Sequence, residues 1–256
     1  MRATSRRLKT FSLNSLERPS ARIVALTIVA EASKLRRVWL VWIVGVGGPV
    51  LVYIIVQLEA LARPSVVAWH DQLTTAANIW TMFLLPISTM ITADTLARVE
   101  SEENGWNYLF TLPVPRSLLY WAKVVIAALL IAGATFAMAA IFVGGGYVAH
   151  ALLGAETPDV SRAFLLSARI CVASSFMVSA AVFLSIRLRP PAALAIQVGL
   201  WIVGLGLGLS AAPLYPWSLP IIAGDPNTLG ITVLWAVAAA ALSAVAAVHH
   251  SHHEPP

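Results

Sequence analysis

Charge is scarce in this sequence. Only 11% of its 256 residues are Asp, Glu, Lys or Arg, where a soluble domain carries about a quarter. A water-soluble enzyme, a disordered tail and a nucleic-acid-binding domain are excluded, because each needs a polar shell that these residues cannot supply. Cysteine is nearly absent: Cys171 stands alone in an apolar stretch, leaving no disulfide framework and no thiolate metal site. No Gly-x-x-x-x-Gly-Lys-Ser/Thr occurs, so the chain has no phosphate-cradling loop of its own. His-Glu-x-x-His and Gly-x-Ser-x-Gly are also missing, which removes support for an intramembrane protease or hydrolase. No run of acidic or histidine residues threads the apolar stretches, and this weakens a proton-coupled carrier.

What is abundant is apolar surface. Hydrophobic residues make up 59% of the chain, and the mean hydropathy is +0.80. A bilayer core takes about 20 mostly apolar residues per helix. Six stretches qualify, at about 38–58, 76–97, 118–143, 161–186, 192–212 and 231–248. They are continuously apolar rather than alternating with a period of two, so helices are expected and not barrel strands. The fold class that follows is an all-α integral membrane protein with a six-helix domain over 38–248. The run Gly144-Gly145-Gly146 reads as the end of span three, and Gly204-x-x-x-Gly208 as a close helix contact. Ala60-Leu61-Ala62 looks like a cleavage site. The apolar run before it exceeds the ~7–15 residues of a signal core, so an uncleaved anchor is expected.

Lys and Arg set the orientation. Nine precede span one; Arg98, Arg116 and Lys123 flank the second loop; Arg187 and Arg189 follow span four. Fourteen of seventeen thus fall on one side, against Arg63 and Arg162 on the other and Arg169 inside span four. Both termini are expected in the cytoplasm. The net charge of +5 marks topology and anionic headgroups, not nucleic acid. Trp69, Trp80, Trp217 and Trp235 are expected at or near the outer interface, where amphipathic rings collect.

Residues 1–18 are polar and basic. Over 20–37, Ile23, Leu26 and Ala30 share one helical face, while Arg22, Glu31, Lys34 and Arg37 reach water or headgroups. This reads as an amphipathic helix on the cytoplasmic interface, or as a plain extension of span one. The loop at about 98–117 holds an acidic cluster (Glu100, Glu102, Glu103), then Gly105-Trp106 and a short apolar helix that Pro113 and Pro115 terminate. Such a knob suits a protein partner's cleft; resting on the lipid surface is the other reading. Arg169 either lines a central path or snorkels outward. Ser167, Ser174 and Ser175 read as helix-packing or backbone-bonding hydroxyls. The tail from 249 to 256 carries His249, His250, His252 and His253; imidazoles without fixed geometry earn no metal assignment.

The pattern of Glu102, Glu103, Gly105, Trp106, Leu109, Leu112, Pro113, Val114, Arg116, Tyr120 and Lys123 resembles the coupling-loop signature of ABC-2 type permeases. In particular it is similar to the branch of lantibiotic-immunity and bacitracin-resistance permeases. The stretch from Ala30 to Arg37 resembles the segment such permeases carry before span one, and Pro216-Trp217-Ser218-Leu219-Pro220 fits their turn before the last span. The resemblance implies a type V exporter-like architecture: six helices, a cytoplasmic connecting helix (Glu31, Lys34, Arg37) and a coupling helix. Two copies of a separate ABC ATPase would bind ATP and Mg²⁺, and two permease chains would enclose the pathway. The coupling residues implied are Glu100, Glu102, Glu103, Gly105, Trp106, Leu109, Leu112, Pro113 and Arg116.

The function expected is therefore the permease subunit of an exporter in a bacterial plasma membrane. It would move an amphiphile such as an antimicrobial peptide, a lipid or a drug, and no cofactor would sit in this chain. A non-transporting six-helix scaffold or sensor is the alternative, and an ATPase that co-purifies separates the two.

Overall fold

Hydrocarbon offers the backbone no water, so a continuous apolar run satisfies its own hydrogen bonds as a helix. The computed structural model describes residues 27–29, 43–62, 68–102, 116–209 and 215–252, and among these it contains no strand. Six helices are long and apolar enough to cross a bilayer. α1 is Ile43–Ala62. α2 runs through Trp69–Ile79, a π-helical turn at Trp80–Leu84, and Leu85–Glu102. α3 is Arg116–Leu153, α4 Val160–Arg187 and α5 Pro190–Leu209. A short α6, Leu219–Ile222, and a 3-10 turn, Pro226–Thr228, lead into α7, Leu229–His252.

Each expected span overlaps one of these helices, with residues 38–42 and 210–212 outside the described residues. Spanning helices next to each other in the chain run antiparallel. The side-chain bonds Gln57–Gln72 and Gln197–Ser185 and the bond from Lys123 to the Leu96 carbonyl fix this arrangement. One end of the bundle therefore carries Glu102, Arg116 and Arg187, and the other carries Trp69, Leu153 and Asp159. α4 is central and packs against α2, α3, α5, α6 and α7. In α2 and α4, 61% and 56% of the spanning window is buried in the protein, against 17% in both α1 and α5. The last two are peripheral and turn most of their surface outward.

Hydroxyls are tolerated in this interior because they bond their own helix. Thr81, Thr89, Thr135 and Ser167 each donate to the carbonyl four residues back at 2.8–3.0 Å. Ser174 and Ser175 donate three residues back, to Cys171 and Val172. These serines are backbone-bonding groups, as their setting in span four suggests.

The glycine run does not end α3. The helix continues to Leu153, 38 residues in all, or about 57 Å. It stops at Gly154, whose φ of 67° and amide bond to His150 form a left-handed C-cap. Gly145 and Gly146 serve packing instead. A Cβ on Gly146 would lie 2.6 Å from Nε1 of Trp69, and one on Gly145 would run into Tyr53. The space they leave lets the Trp69 indole donate to the Phe142 carbonyl at 3.3 Å.

The tryptophans also depart from the interface pattern. Trp80 is fully buried and donates to Thr135 Oγ1 at 3.1 Å. Gly48 of α1 makes room for its ring, since a Cβ there would sit 3.1 Å from Trp80 Cζ3. Trp69 and Trp217 stand at the expected end but are buried against protein. Gly204 accepts Trp217, not another helix: a Cβ at 204 would meet Trp217 Cβ at 2.6 Å. Lys123 is no exposed topology marker either. It is buried, and its ammonium donates to the Leu96 carbonyl near the end of α2 at 2.8 Å, where the helix dipole favours a cation.

Pro86 explains a further feature. It has no N–H for the Met82 carbonyl four residues back, and the turn before it widens into the π segment, with Leu85 N–H bonded to the Trp80 carbonyl. The Trp201 indole of α5 fills the gap, donating to the Met82 carbonyl at 2.7 Å. Phe83 packs edge-on against the same ring. Trp201→Phe keeps the ring and loses this bond, so thermal unfolding in detergent should show a loss of about 1–3 kcal/mol. In a Pro86→Ala background the loss should shrink, because residue 86 then supplies a donor. Equal losses in both backgrounds would refute the assignment.

Candidate functional site

Glu100 and Glu102 fall in the last turn of α2, and Arg116 opens α3. Glu103, Gly105, Trp106, Leu109, Leu112 and Pro113 lie outside the described residues, as do Glu31, Lys34 and Arg37. The base of the segment 103–115 is thus defined by two long helices, tied together by the Lys123–Leu96 bond. Asp94 and Arg98 pair at 2.8 Å on the flank of α2.

A large cavity lies at the opposite end. It encloses about 800 Å³ between the first turns of α2, the first half of α4 and α6. Its polar lining comes from His70, Thr74, Asn78, Thr81, Asp159, Ser161, Arg162 and Arg169. Arg162 and Arg169 are seven residues apart, so they share one face of α4, with Arg169 about 10 Å further along the axis.

The start of α4 is held by its cap. The Asp159 carboxylate accepts from the Arg162 amide at 3.0 Å and from the Ser161 hydroxyl at 2.7 Å. These bonds, the Ser161 hydroxyl foremost, hold its pKa below the usual 3.8. The Arg162 guanidinium, through Nη2, bonds His70 Nε2 at 2.8 Å. A guanidinium only donates, so Nε2 accepts and the ring proton sits on Nδ1. That Nδ1 is buried without a partner. Arg169 is half-buried and bonds no other side chain or carbonyl among the described residues.

A second cavity of about 470 Å³ lies between α1, the start of α2 and the extension of α3, with mostly apolar walls. Among the described residues no group of three His, Cys, Asp or Glu stands close enough to hold a metal ion.

Of the residues singled out from sequence, the cavity gathers Arg169 alone. Arg162 had served only as a topology charge, and His70, Asn78 and Asp159 were not expected to act together. One signal was present: two arginines spaced i, i+7 in the first half of a span, on the side where the remaining chain has almost no positive charge.

Residues 27–206 match the family model described as ABC-2 family transporter protein. No curated protein matches the chain. The matched region covers α1 to α4, most of α5 and every charged residue of the cavity.

Asp159→Ala should lower the melting temperature at pH 7 by removing the cap of α4. The folded pKa is depressed, so the carboxylate's contribution is present above its unfolded value and lost as pH falls through the folded one. Melting curves of the two proteins should converge on acidification; a gap independent of pH would rule out a role for the charge.

Proposed function

Because the chain belongs to the ABC-2 transporter family, we propose that it is the permease subunit of an ATP-driven exporter. It is a multi-pass membrane transport component without a phosphate-binding loop of its own, so ATP and Mg²⁺ are bound by a separate ATPase subunit. Two such subunits serve two permease chains, this one and a second copy or a related chain. The single observation that carries the reading is the family membership, joined to six spanning helices.

The segment 103–115, with Glu100, Glu102 and Arg116 at its edges, receives the ATPase. In support, α2 and α3 extend about 50 and 57 Å from it, well beyond the ~30 Å of a bilayer core. Two rods tied by a buried lysine carry a push at the loop into the bundle. Glu31, Lys34 and Arg37 belong to a connecting helix on the same membrane face. The Arg187 end faces the cytoplasm of a bacterium, in accord with its excess of Lys and Arg. The cargo is an amphiphile such as a peptide, lipid or drug. A strongly hydrated sugar or ion would shed its water among these apolar helices at a cost of several kcal/mol.

Trp106→Ala and Glu103→Lys should leave insertion and melting unchanged. Each should weaken capture of the ATPase, Trp106→Ala by about 2 kcal/mol or more, as truncating a buried aromatic anchor does. Unaltered capture would assign the loop to the lipid surface, and no captured ATPase at all would leave the scaffold or sensor reading.

Single cysteines in a Cys171→Ala background test orientation. Positions 71, 159 and 225 should label from outside intact cells, and 12, 104 and 189 only after permeabilisation. External labelling of position 104 would invert the scheme.

A further inference from the structure

A guanidinium at membrane depth costs several kcal/mol unless water or an anion meets it. Arg169 stands in that position, on the wall of the 800 Å³ cavity and without a protein partner among the described residues. Arg162, on the same face nearer the mouth, has committed one Nη2 to His70. The one carboxylate of the cavity, Asp159, is already engaged by the Ser161 hydroxyl and the Arg162 amide. With His70 neutral, the charged groups leave the cavity net positive, and the guanidiniums present donors only.

The cavity is also far roomier than an oxyanion needs, within the ~300–1,000 Å³ of organic-ligand pockets. Leu165 lines it and is 56% exposed, so the wall continues onto the apolar outer surface of α4. Leu73, Leu166 and Ile170 complete an apolar side. Such a site joins a place for negative charge to a path for hydrocarbon.

We propose that this cavity binds the phosphate-bearing headgroup of an amphiphile between Arg162 and Arg169, with the acyl chain leaving along Leu165. Guanidinium forks suit phosphate oxygens, which accept two parallel hydrogen bonds. A cationic peptide finds no carboxylate in this lining besides Asp159. Among the cargoes of an exporter the site therefore selects an anionic lipid or a phosphorylated amphiphile. This selection rests on the exporter reading, but the binding itself does not require ATP or an ATPase. Failure of ATPase capture and failure of headgroup binding are separate results.

The test uses the full chain in a neutral detergent and reads thermal stabilisation against ligand concentration. The probes are dihexanoyl phosphatidic acid, dihexanoylglycerol, inorganic phosphate and dodecyltrimethylammonium. Phosphatidic acid should stabilise at the lowest concentration. Arg162→Gln and Arg169→Gln should each weaken it about tenfold or more, the scale of a charge-assisted hydrogen bond. Arg169→Lys should recover part of the loss. Equal stabilisation by dihexanoylglycerol, or no change in either glutamine variant, would overturn the anion site. Inorganic phosphate acting as strongly as the lipid would assign the cavity to the free ion and overturn the amphiphile. If neither glutamine variant folds, the unmutated chain decides: dodecyltrimethylammonium binding as tightly as phosphatidic acid sinks the proposal.

Discussion

Every polar group freed inside a membrane must find its partner within the protein, and most of this structure follows from that constraint. Pro86 removes a backbone donor in the middle of α2, and the indole of Trp201 crosses from α5 to supply another. Trp80 and Trp69 make comparable bridges to Thr135 and the Phe142 carbonyl of α3. Lys123 donates to a carbonyl of α2. These long-range bonds tie α2 to α3 and α5, and the apolar contacts around α4 close the remaining space.

Close approach makes the bridges possible. Gly48, Gly146 and Gly204 each stand where a Cβ would press on an indole-bearing residue. At Gly146 the missing side chain lets the Trp69 ring pack closely and donate its N–H to the Phe142 carbonyl at the same contact. Apolar burial alone distinguishes poorly between helix pairs in lipid, because tails are as apolar as leucine. Shape and the indole bond therefore choose the neighbours, and α1 and α5 keep their outward faces.

The same constraint marks where function belongs. Among the described residues, Arg169 and the Nδ1 of His70 lack partners at the cavity end, while Tyr120 Oη, Arg187 Nη2, Gln197 Oε1 and Ser243 Oγ lack them elsewhere in the bundle. Open hydrogen-bonding capacity beside a large cavity is what a ligand consumes. At the other end, Glu100, Glu102 and Arg116 flank the segment 103–115. The two ends are joined by α2, which lines the cavity with its first turns and reaches Glu102 with its last.

The six spans, their order and their helical form were legible in the sequence, because hydrophobic transfer is a sum over about 20 neighbouring residues and needs no knowledge of the fold. The charge asymmetry is local in the same way, and the loop motif around Trp106 was sufficient to suggest the family to which the chain belongs. Misreadings arose where a residue's role depends on a distant partner. Gly144-Gly145-Gly146 read as a helix end because glycine weakens helices, yet Tyr53 and Trp69 need the space. Trp80 read as an interface ring, yet Thr135 lies 55 residues away to receive it. Arg162 and His70 are 92 residues apart in the chain, and only the packing of α2 on α4 joins them in one cavity. Hydropathy records how much a segment gains by leaving water; it does not record which segment it meets, and that meeting decided the site.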